Sequence, residues 1–447
     1  MPQTTKTLAD PIHMIDAAQK AWTYPLFDAI FQRRARRFPL GAEMPGDVAP
    51  YKSEKAPVPL DELEEAMLVM AGTGITGINL SDLPFCQGGR NWCGNTMLQF
   101  VGRTYASACG SHGTELLFTN DHGTYIVPMR QRRPSKLAEC ESTDDRERIL
   151  AGFREATVKI SDGRLPIPMV EPVMLAFNQW NVNRPGTTLF MPISDVTWEY
   201  INALMLFMDE PHRFYIYDDL NGNAEPLRKW ADAGYLDRQR PVPLSFYERT
   251  MTMVVPGVEQ AFMLQNMYLA LQAMGLGGWI FNSSLTPLVF ALMGFRLEMP
   301  RKAGPLRPPE WFVPPPGAPM GFPVGLDGLF EAYCPPYYPD MNAAVQAIWD
   351  AKWGAGGIYK PNGGPAAYKD RQVLDRAVPR TQEWCLDASK ALCTYIWDTY
   401  GRFPATLDPM MMNIWFQAHH LETAFYDHHY PPGAYTETIR RHMEEWH

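Results

Sequence analysis

The chain has 447 residues, 46% of them hydrophobic and 20% charged, with a net charge of −9. That is enough chain for one large core or two ordinary ones, in a globular rather than a disordered protein. An acidic chain suits no nucleic-acid phosphate backbone, and no apolar run approaches the roughly 18 residues that span a bilayer, so neither partner is expected. Seven scattered cysteines without a C-x-x-C pair read as reduced thiols. The opening MPQTTKTLADPIH has no apolar signal core, and a cytoplasmic protein is expected.

Ile15, Ala18, Trp22, Leu26, Ile30 and Phe31 recur at helical spacing and predict a first helix over residues 14–36. A loop rich in glycine and proline comes next, at 41–57. A second helix starts near Leu60. Asp61, Glu62, Glu64 and Glu65 put negative charge in its first turns, which complements the helix dipole. Gly72, Gly74 and Gly77 end it. Residues 115–119 and 124–128 flank Asn120-Asp121-His122-Gly123, the pattern of a β-hairpin. Residues 131–245 read as a large insertion. It is highly charged at first, with a helix over 144–155, a second helix over 198–208 and a strand over 214–217.

The segment PGVEQAFMLQNMYLALQAMGLGGWIFN, residues 256–282, opens as a long helix. Val258, Phe262, Asn266, Leu269, Ala270 and Ala273 share one face. It stops at Gly275-Leu276-Gly277-Gly278. Glycines there cap a helix, and they also let a flat ligand approach bare backbone. On this segment alone a core helix with a glycine cap is the simpler reading. Residues 300–323 contain Pro314-Pro315-Pro316 and cannot be regular helix. Trp311, Phe312 and Phe322 make this an arm crossing a surface rather than a free linker. Helices are predicted beyond it over 341–353, 381–400, 411–427 and 436–446. Two parts are expected, 1–299 and 300–447.

Three groups of residues have chemical potential. Arg33, Arg34, Arg36 and Arg37 suit phosphate, which guanidinium forks bind bidentately; a solvated basic helix end explains them equally well. His419, His420, Glu422, Asp427, His428 and His429 cluster near the C-terminus. His419 and Glu422 are three apart on a predicted helix and share a face that suits a metal. No zinc signature such as H-E-x-x-H is present, so a polar surface with aromatic staples is the simpler reading, and no metal is expected. Histidine titrates near neutrality, which makes this tail a candidate proton donor over a neighbouring active site. Cys109-Gly110-Ser111-His112-Gly113 places three reactive types close together, but no G-x-S-x-G elbow supports a hydrolase. No Walker loop supports an ATP enzyme.

The order of these pieces resembles the nitroreductase superfamily of FMN enzymes. The matching pieces are R-R-x-x-R at Arg33, Arg34 and Arg37, an acidic-start helix, and N-x-x-L-A-x-x-x-x-G-L-G from Asn266 to Gly277. Residues 102–110 resemble the R-x-x-P-S-a-G loop of its thiazoline-oxidase-like branch through Arg103 and Ser107. Ala35 stands where a serine is common, and Ala106 where a proline is. The resemblance implies an α+β, nitroreductase-like fold. Its antiparallel-rich sheet would be surrounded by helices, with the proline-rich arm and a helical C-terminal extension. It implies FMN, its phosphate held by Arg33, Arg34 and Arg37. Arg103, Ser107, Gly278, Trp279, Ile280, Phe281 and Asn282 would lie near its ring. It also implies a flavoprotein homodimer with two flavin sites at its interface. The expected activity is that of an oxidoreductase with ping-pong hydride transfer from a donor such as NAD(P)H to a small organic acceptor. Tyr105, His419 and His428 are the catalytic candidates. Ala35 and Ala106 motivate an alternative, a flavin-free binding protein on the same scaffold. A metal-dependent enzyme using the C-terminal histidines is the third reading.

Overall fold

The computed structural model describes residues 20–80, 82, 84–87, 90–92, 97–141, 151–171, 173–281, 287–298, 321–361, 363–407 and 414–445. Among these residues, seven strands form the main sheet: β1 (Thr114–Thr119), β2 (Gly123–Val127), β3 (Val158–Asp162), β4 (Thr187–Asp195), β5 (Gly277–Phe281), β6 (Thr406–Leu407) and β7 (Trp415–His419). Their order is β5-β7-β4-β1-β2-β3, with β6 paired to the end of β4. Every pairing is antiparallel. The helices that frame the sheet are α1 (Leu26–Gln32), α2 (Glu62–Thr73), α3 (Val196–Met208), α4 (Val255–Met274), α5 (Met341–Trp353), α6 (Glu383–Tyr400), α7 (Thr423–His429) and α8 (Glu437–Glu445). The chain is thus α+β with an antiparallel sheet among helices.

Strand alternation gives the sheet two faces. Tyr125, Phe118, Phe190 and Phe416 stand in register across β2, β1, β4 and β7. Their neighbouring ring centroids are 4.8, 5.8 and 5.7 Å apart. Helices α2 and α4 cover this face with Met67, Leu68, Met263, Met267 and Leu271. Each such fully buried side chain stabilises the fold by about 1.5–3 kcal/mol. On the other face, Leu117, Leu189, Met191, Trp279 and Trp415 pack against Leu165, Ile167, Phe290 and Phe330. A second core joins α3 to α5 and α6 through Tyr200, Leu204, Ile348, Leu392 and Ile396.

Four expectations change here. The first predicted helix is interrupted: residues 20–22 are helical, Pro25 precedes α1, and the helix ends at Gln32 rather than Arg36. Proline lacks the N–H that would continue the earlier turn. Residues 411–427 are not one helix. They hold β7, a turn and α7, with 411–413 outside the described residues. The segment 131–245, read as an insertion, supplies β4, which pairs on both sides within the sheet. Finally, β7 lies between β5 and β4, so the division at residues 299 and 300 separates neither two sheets nor two cores. The arm's residues 299–320 lie outside the described residues. No described helix is long and apolar enough to cross a membrane.

Helix α4 ends as its sequence predicts, at Gly275 in the left-handed region (φ 79°). Its predicted stripe does not face the sheet. Tyr268 packs on Phe416 and Leu271 lies against Gly278, while Met263 and Met267 meet Gly72 of α2; Val258, Asn266, Leu269, Ala270 and Ala273 are half-buried and Phe262 is 46% exposed. Both faces of this helix are apolar, so periodicity alone does not choose between them.

Candidate functional site

The arginine segment and the glycine strand come together. Residues 33–40 run extended, and the Arg36 N–H donates to the Gly278 carbonyl at 3.2 Å in an antiparallel bridge. Arg36 is buried, and each of its three side-chain nitrogens donates a hydrogen bond. Nε donates to Ala434 O at 3.0 Å, Nη1 to Gln272 Oε1 at 3.1 Å and Nη2 to Gln32 O at 3.3 Å. Burial lowers its pKa, because charge is costly there. The other three arginines differ. Arg33 stacks over Tyr268 at 4.6 Å, Arg37 lies over Trp279 at 5.6 Å, and Arg34 is exposed. Among the described residues none of the three has a carboxylate partner.

The β5 residues are less open than bare glycine suggests. A Cβ on Gly278 would meet Gln417 O at 2.3 Å and Leu271 Cδ1 at 2.7 Å. One on Gly277 would meet Leu421 Cδ1 at 2.8 Å and His419 Nε2 at 2.9 Å. The glycines therefore admit the chain's own β7 and α4. Trp279 and Phe281 are buried in the core, while Ile280 keeps some exposed surface. Asn282 lies outside the described residues.

The loop at 102–110 is elsewhere. Asn266 Nδ2 donates to Thr104 O at 2.7 Å, and Arg33 packs on Tyr268. Residues two apart on a helix point about 200° apart, so α4 stands between this loop and the arginines. Arg103 is buried. Its Nη2 donates to Thr73 Oγ1 at 2.9 Å and lies 3.7 Å from Glu115. Its Nε and Nη1 have no hydrogen-bond partner among the described residues. Ser107 is half-buried. Tyr105 is a core residue whose hydroxyl donates to Thr114 O at 2.9 Å, so it has no free proton to offer. Glu259 of α4 organises residues 111–114, accepting from Ser111 Oγ at 3.1 Å, His112 N at 2.9 Å and Thr114 Oγ1 at 2.8 Å. Burial pushes the Cys109 thiol up to about 12 and His112 down to about 4, so this is no nucleophile–base pair.

Gly72-Thr73-Gly74-Ile75-Thr76-Gly77 has the spacing G-x-G-x-x-G. It runs from α2 into the strand Ile75–Ile78, the reverse of a dinucleotide-binding turn. Beside it, a cavity of about 440 Å³ lies between α2 and α4, walled by Trp22, Met67, Met70, Ala270 and Met274 with Thr104 at its edge.

The histidines sort into three environments. His428 is exposed on α7. His419 is buried on β7 against Trp279, 5.9 Å between ring centroids, and burial pushes it down to about 3. Glu422 is not its metal partner: it precedes α7 and accepts from Ser53 Oγ. His420 and His442 converge instead on Glu64. His420 Nε2 lies 3.0 Å from Glu64 Oε1, and His442 Nε2 lies 2.9 Å from the same oxygen. In the sequence Glu64 reads only as a helix-dipole residue. Its reciprocal capping box with Asp61, two bonds of 2.8 Å, is the local part of the signal.

No protein-family model matches the chain, and no curated protein matches it. Among solved structures, it is similar to a chain described as a "putative nitroreductase" from Ralstonia eutropha JMP134. The two are 13% identical over 60% of this chain and 75% of that one, with a TM-score of 0.25. At that score the likeness carries no argument about fold or function.

Proposed function

We propose that the protein is an FMN-dependent oxidoreductase whose flavin phosphate is held by Arg33, Arg34 and Arg37. One observation carries this reading. In a chain of net charge −9, three arginines stand within five residues beside β5 with no described carboxylate partner, while Arg36 anchors the segment between them. Uncompensated guanidinium groups on an anchored backbone suit a phosphate monoester.

The arginines and the loop bearing Arg103 and Ser107 lie on opposite sides of α4, so one chain does not bring both to one ligand. A homodimer resolves this, each copy offering its loop to the other's arginines. The surface supports such pairing: α1 exposes Leu26, Ile30, Phe27 (70%) and Phe31 (75%), and α4 exposes Phe262. Clustered exposed rings of this kind mark interaction surfaces. Ile280 is the described β5 residue with surface left for a ring. FMN, when bound, supplies the hydride chemistry, with NAD(P)H as donor and a small organic molecule as acceptor. The protein's part is to neutralise the phosphate and orient the ring. His419 is neutral at working pH and Tyr105 is committed, which leaves His428 as the sequence-derived proton-donor candidate.

The test is direct. The purified protein is denatured and its supernatant analysed for FMN, and the native protein is assayed for NADH or NADPH oxidation with a quinone acceptor. Bound FMN with acceptor-dependent oxidation is expected. A protein that neither carries nor takes up FMN refutes the reading.

A further inference from the structure

We propose that Glu64, His420 and His442 form a buried site for one divalent transition-metal ion, zinc being the guest best suited to the donor set. The three residues come from the first turn of α2, the residue after β7, and α8, and their donor atoms lie within 4.8 Å of one another. All three are at most 4% exposed.

Proton counting shows why the site calls for a cation. His420 Nδ1 lies 3.0 Å from the Val58 carbonyl, which only accepts, so Nδ1 carries a proton. His420 Nε2 faces Glu64 Oε1 and Oε2 at 3.0 and 3.1 Å. A neutral ring protonated at Nδ1 would aim a lone pair at a carboxylate, which is repulsive. Something positive belongs between them, either a second proton or a metal. An outer carbonyl that fixes the tautomer and aims the remaining lone pair is the usual support of a metal-binding histidine. The Asp61 N–H does the same for the carboxylate, donating to Glu64 Oε2 at 2.8 Å.

The donor types narrow the ion. Two imidazoles and one carboxylate suit zinc, cobalt(II) or iron(II), whereas calcium and magnesium prefer oxygen alone. Bonds of about 2.0–2.2 Å at tetrahedral angles place donors roughly 3.3 Å apart. The two histidine–carboxylate edges, at 2.9 and 3.0 Å, need open by only about 0.3–0.4 Å, and the third edge lies within 4.8 Å. The ion would clasp α8 to the body at the end of α4, where a Cβ on Gly275 would already meet Thr438 O at 2.6 Å.

The experiment uses the full chain prepared without a metal-affinity tag. Its metal content is measured as isolated, and after EDTA treatment it is titrated with Zn2+ and, separately, Co2+, with melting temperature and visible spectrum recorded. About one equivalent per chain is expected, with cobalt d–d bands of a nitrogen- and oxygen-bound ion and a higher Tm on adding Zn2+. His420→Gln and His442→Gln should lose the ion, and His428→Gln and His429→Gln should keep it. If either ligand variant fails to fold, the wild-type titration decides alone. No bound metal with no Zn2+- or Co2+-dependent change overturns the proposal and leaves the second proton as the occupant. Binding unaffected in folded His420→Gln and His442→Gln overturns it too. None of these readouts involves flavin, so this proposal and the flavin reading fail separately.

Discussion

Four neighbouring arginines divide between two jobs, and replacing them one at a time should separate the jobs. Arg36→Met keeps the apolar stem but removes three hydrogen bonds, leaving the buried Gln272 Oε1 and the half-buried Ala434 O without their donor. Stranding the buried Gln272 acceptor costs about 1–3 kcal/mol and the half-buried Ala434 acceptor somewhat less, for a total of roughly 2–5 kcal/mol. That is a large share of the 5–15 kcal/mol typical of a folded protein. Arg34→Ala and Arg37→Ala remove exposed side chains without described ion pairs, so each should change stability by no more than about 0.5 kcal/mol. They should weaken FMN binding instead. Urea denaturation of each variant, with FMN affinity measured alongside by fluorescence quenching, checks both halves. Similar stability losses for Arg36→Met and Arg34→Ala, or unchanged FMN affinity in the double variant of Arg34 and Arg37, would refute the division.

Three further outcomes come from the geometry. Gly278→Ala drives a Cβ to within 2.3 Å of the Gln417 carbonyl, so β5 and β7 must separate; a loss of about 1–3 kcal/mol is expected, and wild-type thermal stability would show the contact to be relaxed in solution. Burial pushes Glu248 up to about 8, and it accepts from Tyr200 Oη at 3.3 Å. A raised folded pKa gives stability that is complete below the unfolded value near 4.3 and is lost as pH rises toward about 8. Glu248→Gln should therefore gain on the wild type as pH rises from about 4.5 to 8; denaturation curves showing a pH-independent difference would contradict this. Phe27→Asp with Phe31→Asp should convert a dimer to a monomer in sedimentation while leaving the circular dichroism intact. A wild type that is already monomeric at micromolar concentration would end that expectation.

Signals in the sequence are readable where their physics is local. The hairpin around Asn120, the glycine cap of α4 and the bounds of α5 all rest on neighbours in the chain. Long-range partnerships are not readable. Arg36 looks like its neighbours until its partners appear, 236 and 398 residues away. Glu64 meets His420 from 356 residues away. Strand β7 reads as helix in the sequence because Trp415, Phe416, Gln417, Ala418 and His419 are all buried, which erases the polar alternation that marks a strand. In the candidate site, the bridge between Arg36 and Gly278 sets the segment bearing the arginines beside β5, a pairing across about 240 residues that no local pattern encodes. The interposition of α4 between them and the Arg103–Ser107 loop is a matter of packing, and periodicity on a helix apolar all round does not encode it.

The central claim is that Arg33, Arg34 and Arg37, which have no carboxylate partner among the described residues, hold a flavin phosphate, and comparing two ligands tests it most directly. Flavin-free protein is titrated with FMN and with riboflavin, which shares the ring and lacks the phosphate. FMN should bind at least about tenfold more tightly, a difference of roughly 1.4 kcal/mol. That preference should vanish when Arg33, Arg34 and Arg37 are all replaced by alanine. Equal affinity for the two ligands, or no binding of either, would contradict the account.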